Sequence, residues 1–152
     1  MNSKTKTYAF FIVISLAVGG LAAFLTRGNM NVFDEIVKPP LTPPAIAFPI
    51  VWSILYTLMG IGAARVYLIN PQSESLTVFG INLVVNFFWS IIFFNMRAFG
   101  FAFLWLVLLF VIVVMMTVKF YRVDKIAGYL QIPYCIWLAL AGYLNLFIYL
   151  VN

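Results

Sequence analysis

The chain has 152 residues, of which 65% are hydrophobic and only 9% charged, whereas a soluble domain is about half apolar and a quarter charged. That balance excludes an ordinary water-soluble fold. The formal net charge of +5 rests on nine Lys and Arg residues set near the ends of apolar runs, where they act as topology determinants and headgroup contacts and build no nucleic-acid surface.

Charge-free intervals mark the membrane spans in chain order. A helix needs about 20 apolar residues to cross the hydrocarbon core, and the segments 7–26, 46–69, 76–96, 99–119 and 127–150 satisfy this. Runs such as Leu104 to Met116 do not alternate in polarity, so a β-barrel is not indicated. Lys4 and Lys6 precede the first run as in a secretory leader, but the run is longer than such a leader requires, and it is read as a retained helix. The expectation is a single all-α integral membrane domain, 1–152, folded as a bundle of five transmembrane helices.

The first connection is dominated by prolines at 39, 40, 43, 44 and 49. Each removes an N–H and restricts the residue before it, which predicts a stiff, shaped loop at the mouth of the second span. Along that span Pro49, Trp52, Tyr56, Gly60 and Ala63 share one stripe at about 100° per residue. Asn82, Asn86, Trp89 and Phe93 share a stripe on the third span, and Gln131, Tyr134, Trp137, Ala141 and Asn145 on the fifth. The fourth span is aliphatic apart from Trp105 and its neighbouring phenylalanines.

Amide and small residues on such stripes serve helix packing, the reading favoured for Asn82 and Asn145. The indole surface of Trp52, Trp89 and Trp137, with Asn86, exceeds what packing needs and points to a site for a large flat apolar ligand. Short connections follow at 70–74 and 97–100, then a basic turn at 119–125. Six of the nine basic residues lie at the N-terminus and in the second and fourth connections, which predicts a cytoplasmic N-terminus.

The chain has no histidine, and its carboxylates Asp34, Glu35, Glu74 and Asp124 fall outside the spans. An ion-coupled pump places ionisable groups at membrane depth, so that class is disfavoured. No acid–base set or metal-ligand cluster is evident. Cys135, the single cysteine, has no intrachain disulfide partner and reads as a small hydrophobe.

Several motifs together carry a resemblance: Gly19-Gly20 ahead of Arg27-Gly28, Lys38-Pro39 followed by Pro43-Pro44, F-P-I-V-W-S-I-L-Y-T-L-M-G from Phe48, N-x-x-W-S-I-I-F-F from Asn86, and P-Y-C-I-W-L-A-L-A-G-Y-L-N from Pro133. Over essentially its whole length the chain resembles the tryptophan-rich sensory protein and translocator protein family, formerly the peripheral benzodiazepine receptors, in its bacterial form. The resemblance implies a five-helix bundle in the bacterial cell membrane, usually a homodimer, that binds porphyrins and benzodiazepine-type hydrophobic ligands under the first loop. It implies a pocket of Ala23, Lys38, Trp52, Tyr56, Asn86, Trp89, Phe93, Tyr134, Trp137, Leu138 and Ala141.

The resemblance further implies that no resident cofactor is required and that protoporphyrin is ligand or substrate. Light-dependent porphyrin breakdown is associated with bacterial members, and here Trp52 and Trp137 would be the reacting indoles. A passive carrier or receptor stays open as the alternative. Leu41 stands where many relatives have Trp, which implies less aromatic cover from the loop. The pairs Gly19/Ala23 and Gly60/Ala64 have the four-residue spacing of close helix approach and are candidates for a dimer interface.

Overall fold

The computed structural model describes residues 2–152, with every side chain among them except that of Phe33. Five segments are long and apolar enough to cross a membrane. They are built from α1 (Ser3–Thr26), α3 (Ala47–Ile69), α4 (Glu74–Ser90, extended by a π-helical turn Ile91–Asn95), α5 (Phe99–Val123) and the pair α6 (Lys125–Tyr129) and α7 (Ile132–Val151); a single turn, α2 (Val32–Glu35), lies in the first connection. Among the described residues there is no strand. The protein is a five-helix membrane bundle.

The helix ends follow from local chemistry. α1 begins earlier than its apolar run because the Asn2 side chain accepts the Thr5 N–H at 2.8 Å, satisfying one of the orphan donors of a first turn. α3 begins before its last proline: Pro49 sits in the first turn, where a missing N–H costs no intrahelical bond. α5 runs on to Val123, so the expected basic turn at 119–125 is instead the last helical turn of α5 followed by Asp124, whose side chain caps α6. Lys119 and Arg122 can remain helical because their aliphatic stems lie along the apolar bundle while their charged heads reach water. Pro133 has no N–H for the Tyr129 carbonyl, which explains why the last span is divided near Leu130.

Packing is tightest between α1 and α3. A Cβ on Gly60 would lie 2.5 Å from the Ile12 Cα and 2.8 Å from the Phe11 carbonyl oxygen, so only glycine lets these two backbones approach. A Cβ on Gly19 would collide with the Tyr56 ring. Of the small residues proposed for a dimer interface, Gly60 and Ala64 are consumed by packing within one chain and Gly19 lies against Tyr56, while Ala23 remains exposed.

Around the bundle α1 also packs on α4, α4 on α5, and α5 on α7. The backbones of α3 and α7 barely meet. Between them stand aromatic rings, with Phe48 5.6 Å and Trp52 6.4 Å from Trp137, and Trp52 6.1 Å from Tyr134, all edge to face. Rings fill the gap that helix contact closes elsewhere, and the gap widens into a chamber.

Candidate functional site

The chamber occupies about 430 Å³ at the end of the bundle holding the C-terminal half of α1 and the first turns of α3, within the roughly 300–1,000 Å³ of ligand pockets. α1 contributes Gly19, Ala22, Ala23 and Thr26, a stripe of small residues that leaves volume. α3 contributes Phe48, Pro49, Trp52 and Tyr56, and α4 Asn86, Trp89, Ser90 and Phe94. α7 adds Trp137 and Ala141, while Met30, Asp34, Lys38, Thr42, Pro43 and Ala45 of the first connection close the top.

The polar groups at the floor form one chain of hydrogen bonds. The Tyr56 hydroxyl donates to Asn86 Oδ1 at 3.3 Å, Asn86 Nδ2 donates to the Tyr134 hydroxyl at 2.6 Å, and that hydroxyl donates to Asn82 Oδ1 at 2.6 Å. Asn82 Nδ2 then faces the Phe79 carbonyl and the Met59 sulfur, each at 3.4 Å. Burying amides in a bundle is costly unless they are paired, and here each finds a partner. Trp89 is fixed from behind, its Nε1 donating to Asn145 Oδ1 at 3.1 Å while Asn145 Nδ2 donates to the Phe99 carbonyl at 2.8 Å. The Trp137 indole N–H is different: it is buried and has no acceptor.

Of the residues singled out from sequence, Ala23, Lys38, Trp52, Tyr56, Asn86, Trp89, Trp137 and Ala141 meet at the chamber. Tyr134, Leu138 and Phe93 do not line it. Tyr134 and Leu138, each 1% exposed, form the neighbouring stripe of α7, and Tyr134 supports the floor through Asn86. Phe93 is displaced by the π-helical turn: the Met96 N–H bonds the Ile91 carbonyl at 3.0 Å, five residues back, and the wider turn brings Phe94 to the chamber in its place. Phe93 stacks instead between Trp89 at 5.1 Å and Phe99 at 5.0 Å.

The loop is tied down at its edges. Asn95 accepts from Asn29 at 2.7 Å and donates to the Leu25 carbonyl at 3.1 Å, Arg97 donates to Glu35 at 2.8 Å, and the Asn152 amide pairs with both the N–H and the carbonyl of Val37. Leu41 is 71% exposed and does not line the chamber, and the loop's cover comes from Lys38, Thr42, Pro43 and Ala45, with no aromatic ring among them. From α1 the sequence reading placed only Ala23 in the pocket, and it missed the neighbouring Ala22 and Thr26 and the loop contacts of Met30 and Asp34. The four-residue spacing of Ala22 and Thr26 was a signal for the first; nothing local announced the second.

Among the described residues no three His, Cys, Asp or Glu side chains are placed to hold a metal ion. What the arrangement offers is apolar volume between indole faces, an amide floor and a Lys/Asp rim.

Comparison with known proteins adds the lineage. The sequence model of the TspO/MBR family matches residues 11–150. The chain is 34% identical to the tryptophan-rich protein TspO of Chlorobaculum tepidum, covering 100% of this chain and 99% of the relative. It is likewise 34% identical to protein CrtK of Rhodobacter capsulatus, over 95% and 92%. A mammalian relative, the translocator protein of Bos taurus, is 30% identical over 89% of this chain and 83% of its own length.

Proposed function

The chain belongs to the TspO/MBR family, and from that premise we propose that its chamber binds a porphyrin and promotes the light-driven oxidative breakdown of that ligand. The observation that carries this reading is the pair Trp52 and Trp137, both at the chamber, their rings edge to face at 6.4 Å. A porphyrin is a flat apolar disc with carboxylate edges. Indole faces supply stacking area, the Asn86 amide at the floor supplies a polar contact, and Lys38 at the rim supplies a cation for one carboxylate.

Light supplies the energy of the reaction and dioxygen is the oxidant. The protein's part is to hold the excited porphyrin beside electron-rich indoles and away from bulk water. No titrating acid or base is needed, which suits a chamber whose charged side chains, Asp34 and Lys38, stand at its rim. The setting is a bacterial cell membrane with a cytoplasmic N-terminus, since six of nine basic residues gather at the end opposite the chamber. A homodimer is part of the same proposal, its contact lying outside the Gly19 and Gly60 surfaces.

A second reading, a passive carrier of porphyrins or sterol-like ligands, is favoured by the name translocator protein given to the bovine relative. Illumination separates the two. Purified protein with protoporphyrin is expected to yield a new absorbing product in light and none in darkness, and the double variant Trp52→Phe, Trp137→Phe is expected to keep the ligand but lose most of the product. Saturable binding without product in the wild type leaves the carrier; undiminished product from the double variant removes the indoles from the reaction.

A further inference from the structure

The chamber end of the bundle is two-sided. Over α1 and α4 it exposes a polar and charged group, Arg27, Asn31, Glu35, Asn95 and Arg97, three of them joined in the ties between Asn95 and α1 and between Arg97 and Glu35. Met30 after α1 and Met96 at the α4–α5 corner are exposed apolar residues on that side, and Phe24 and Leu25 are exposed on the span below them. Over α3 and α7 the large exposed side chains of the loop are aliphatic, with Lys38 at the chamber rim among them. Val37 is 56%, Leu41 71%, Ile46 68% and Leu150 70% exposed. The Asn152 amide pins Val37 beside the last turn of α7, so these residues belong to one surface.

That surface continues a face whose surroundings are already known. Ile46, Ile50 and Ile54 follow one another at four-residue spacing, each more than half exposed, and Ile50 and Ile54 lie on a membrane span. α3 has 23 residues, roughly 34 Å at about 1.5 Å each, slightly more than the roughly 30 Å hydrocarbon core. Its first turn therefore stands at the boundary, and the aliphatic stripe runs past it without interruption onto the loop. Of the large apolar side chains that the first connection exposes, Met30 apart, all lie in the half that adjoins a lipid-facing stripe, a bias that an aqueous loop has no reason to show.

We propose that the α3/α7 half of the loop, led by Leu41 and Ile46, is immersed in the bilayer interface, and that the partner of this surface is lipid. The consequence concerns access. Ala45 and Pro49 are both exposed and both line the chamber, and they lie on the immersed half. The rim of the chamber then opens at the level of the lipid, and an apolar ligand dissolved in the bilayer reaches it without crossing water. This inference rests on the membrane fold and is independent of the ligand's identity.

Single nitroxide labels test it in phosphatidylcholine/phosphatidylglycerol vesicles, at Leu41→Cys and Ile46→Cys on one half and Asn31→Cys on the other, each in a Cys135→Ser background whose folding is checked by its thermal melt. Collision with lipid-soluble oxygen is compared with collision with a water-soluble nickel chelate. The labels at 41 and 46 are expected to favour oxygen several-fold over the label at 31. Labels at 41 and 46 as accessible to nickel as that at 31 would overturn the proposal by placing the loop in water. Labels shielded from both reagents would overturn it by placing a second copy of the chain on this surface.

Discussion

The two ends of the bundle solve the same packing problem in opposite ways. At the end away from the chamber, small residues admit backbone or a buried amide: Gly60 meets α1, Gly128 meets the backbone of Tyr121, and Gly62 meets the Gln131 amide and Phe120. Arg65 clasps Asp124 at 2.5 Å, and Gln131 donates to the Leu58 carbonyl at 3.1 Å. At the chamber end the corresponding glycines meet rings, Gly19 that of Tyr56 and Gly100 that of Tyr149. Backbone cannot yield and rings can turn. One end is thus closed and fixed, and the other is held open by side chains around a volume.

The contrast breaks first at Gly60. Gly60→Ala forces a methyl against the Ile12 backbone, and overpacking of this kind costs about 3 kcal/mol at the upper end of its usual range. A large fall in melting temperature is expected, with much of the protein lost to aggregation in detergent. Gly19→Ala should melt nearer the wild type but bind porphyrin more weakly, because the Tyr56 ring is what moves. Gly20→Ala, where nothing lies within 4 Å, should be neutral or slightly stabilising from helix propensity. Equal melting temperatures for the first two variants would erase the distinction between the ends.

Next in size is the ligand contact. Trp137→Ala should weaken protoporphyrin binding by about 1–3 kcal/mol, the usual loss for a removed stacking platform, as read by fluorescence titration. Trp105 is the comparison: its Nε1 donates to the Val85 carbonyl at 2.7 Å and it does not line the chamber, so Trp105→Ala should cost stability and leave affinity nearly intact. Equal affinities in two folded variants would remove Trp137 from the site.

How much of this was legible in sequence depends on how far each feature reaches. The spans were, because each is decided by its own composition, and so were the stripes of Trp52/Tyr56 and Asn86/Trp89, because regular helix geometry places them. Phe93 was misplaced because a π-helical turn changes the register of every residue after it and leaves no mark in hydropathy. That Leu41 lies outside the chamber was not legible, because the path of a loop depends on remote ties such as those at Arg97 and Asn152. The tyrosine–asparagine chain was foreshadowed by residue type alone; that Tyr134 stands behind the chamber rather than in it needed the packing of α7 on α5.

The hydroxyl of Tyr134 sharpens the comparison from inside, since it joins the chamber floor to the closed half. Tyr134→Phe leaves Asn86 Nδ2 and Asn82 Oδ1 without this partner. Interhelical hydrogen bonds in membranes are worth about 1 kcal/mol, so a modest fall in melting temperature is expected, with a weaker ligand contact at Asn86. Unchanged stability and affinity would show that the two asparagines re-pair without the hydroxyl.

The smallest effect expected lies in the clasp at the closed end, and it depends on pH. The Arg65 guanidinium holds the Asp124 carboxyl below its ordinary value of 3.8, against an opposing push from burial, and the Ala127 N–H reinforces the lowering. A carboxylate whose folded value is depressed adds stability that is fully present above the unfolded value and is lost as pH falls through the folded one. Asp124→Asn keeps an oxygen that can cap α6 and removes only the charge. The gap in melting temperature between wild type and variant should therefore stay constant from neutral pH down to about pH 5 and close below about pH 4. The side chains are 31% and 15% exposed, and such pairs contribute below about 1 kcal/mol, so the gap will be narrow. A gap that persists unchanged to pH 3 would mean that the oxygen's position, and not its charge, holds α3 to the α5–α6 corner, and the closed end would then owe its rigidity to the glycine contacts alone.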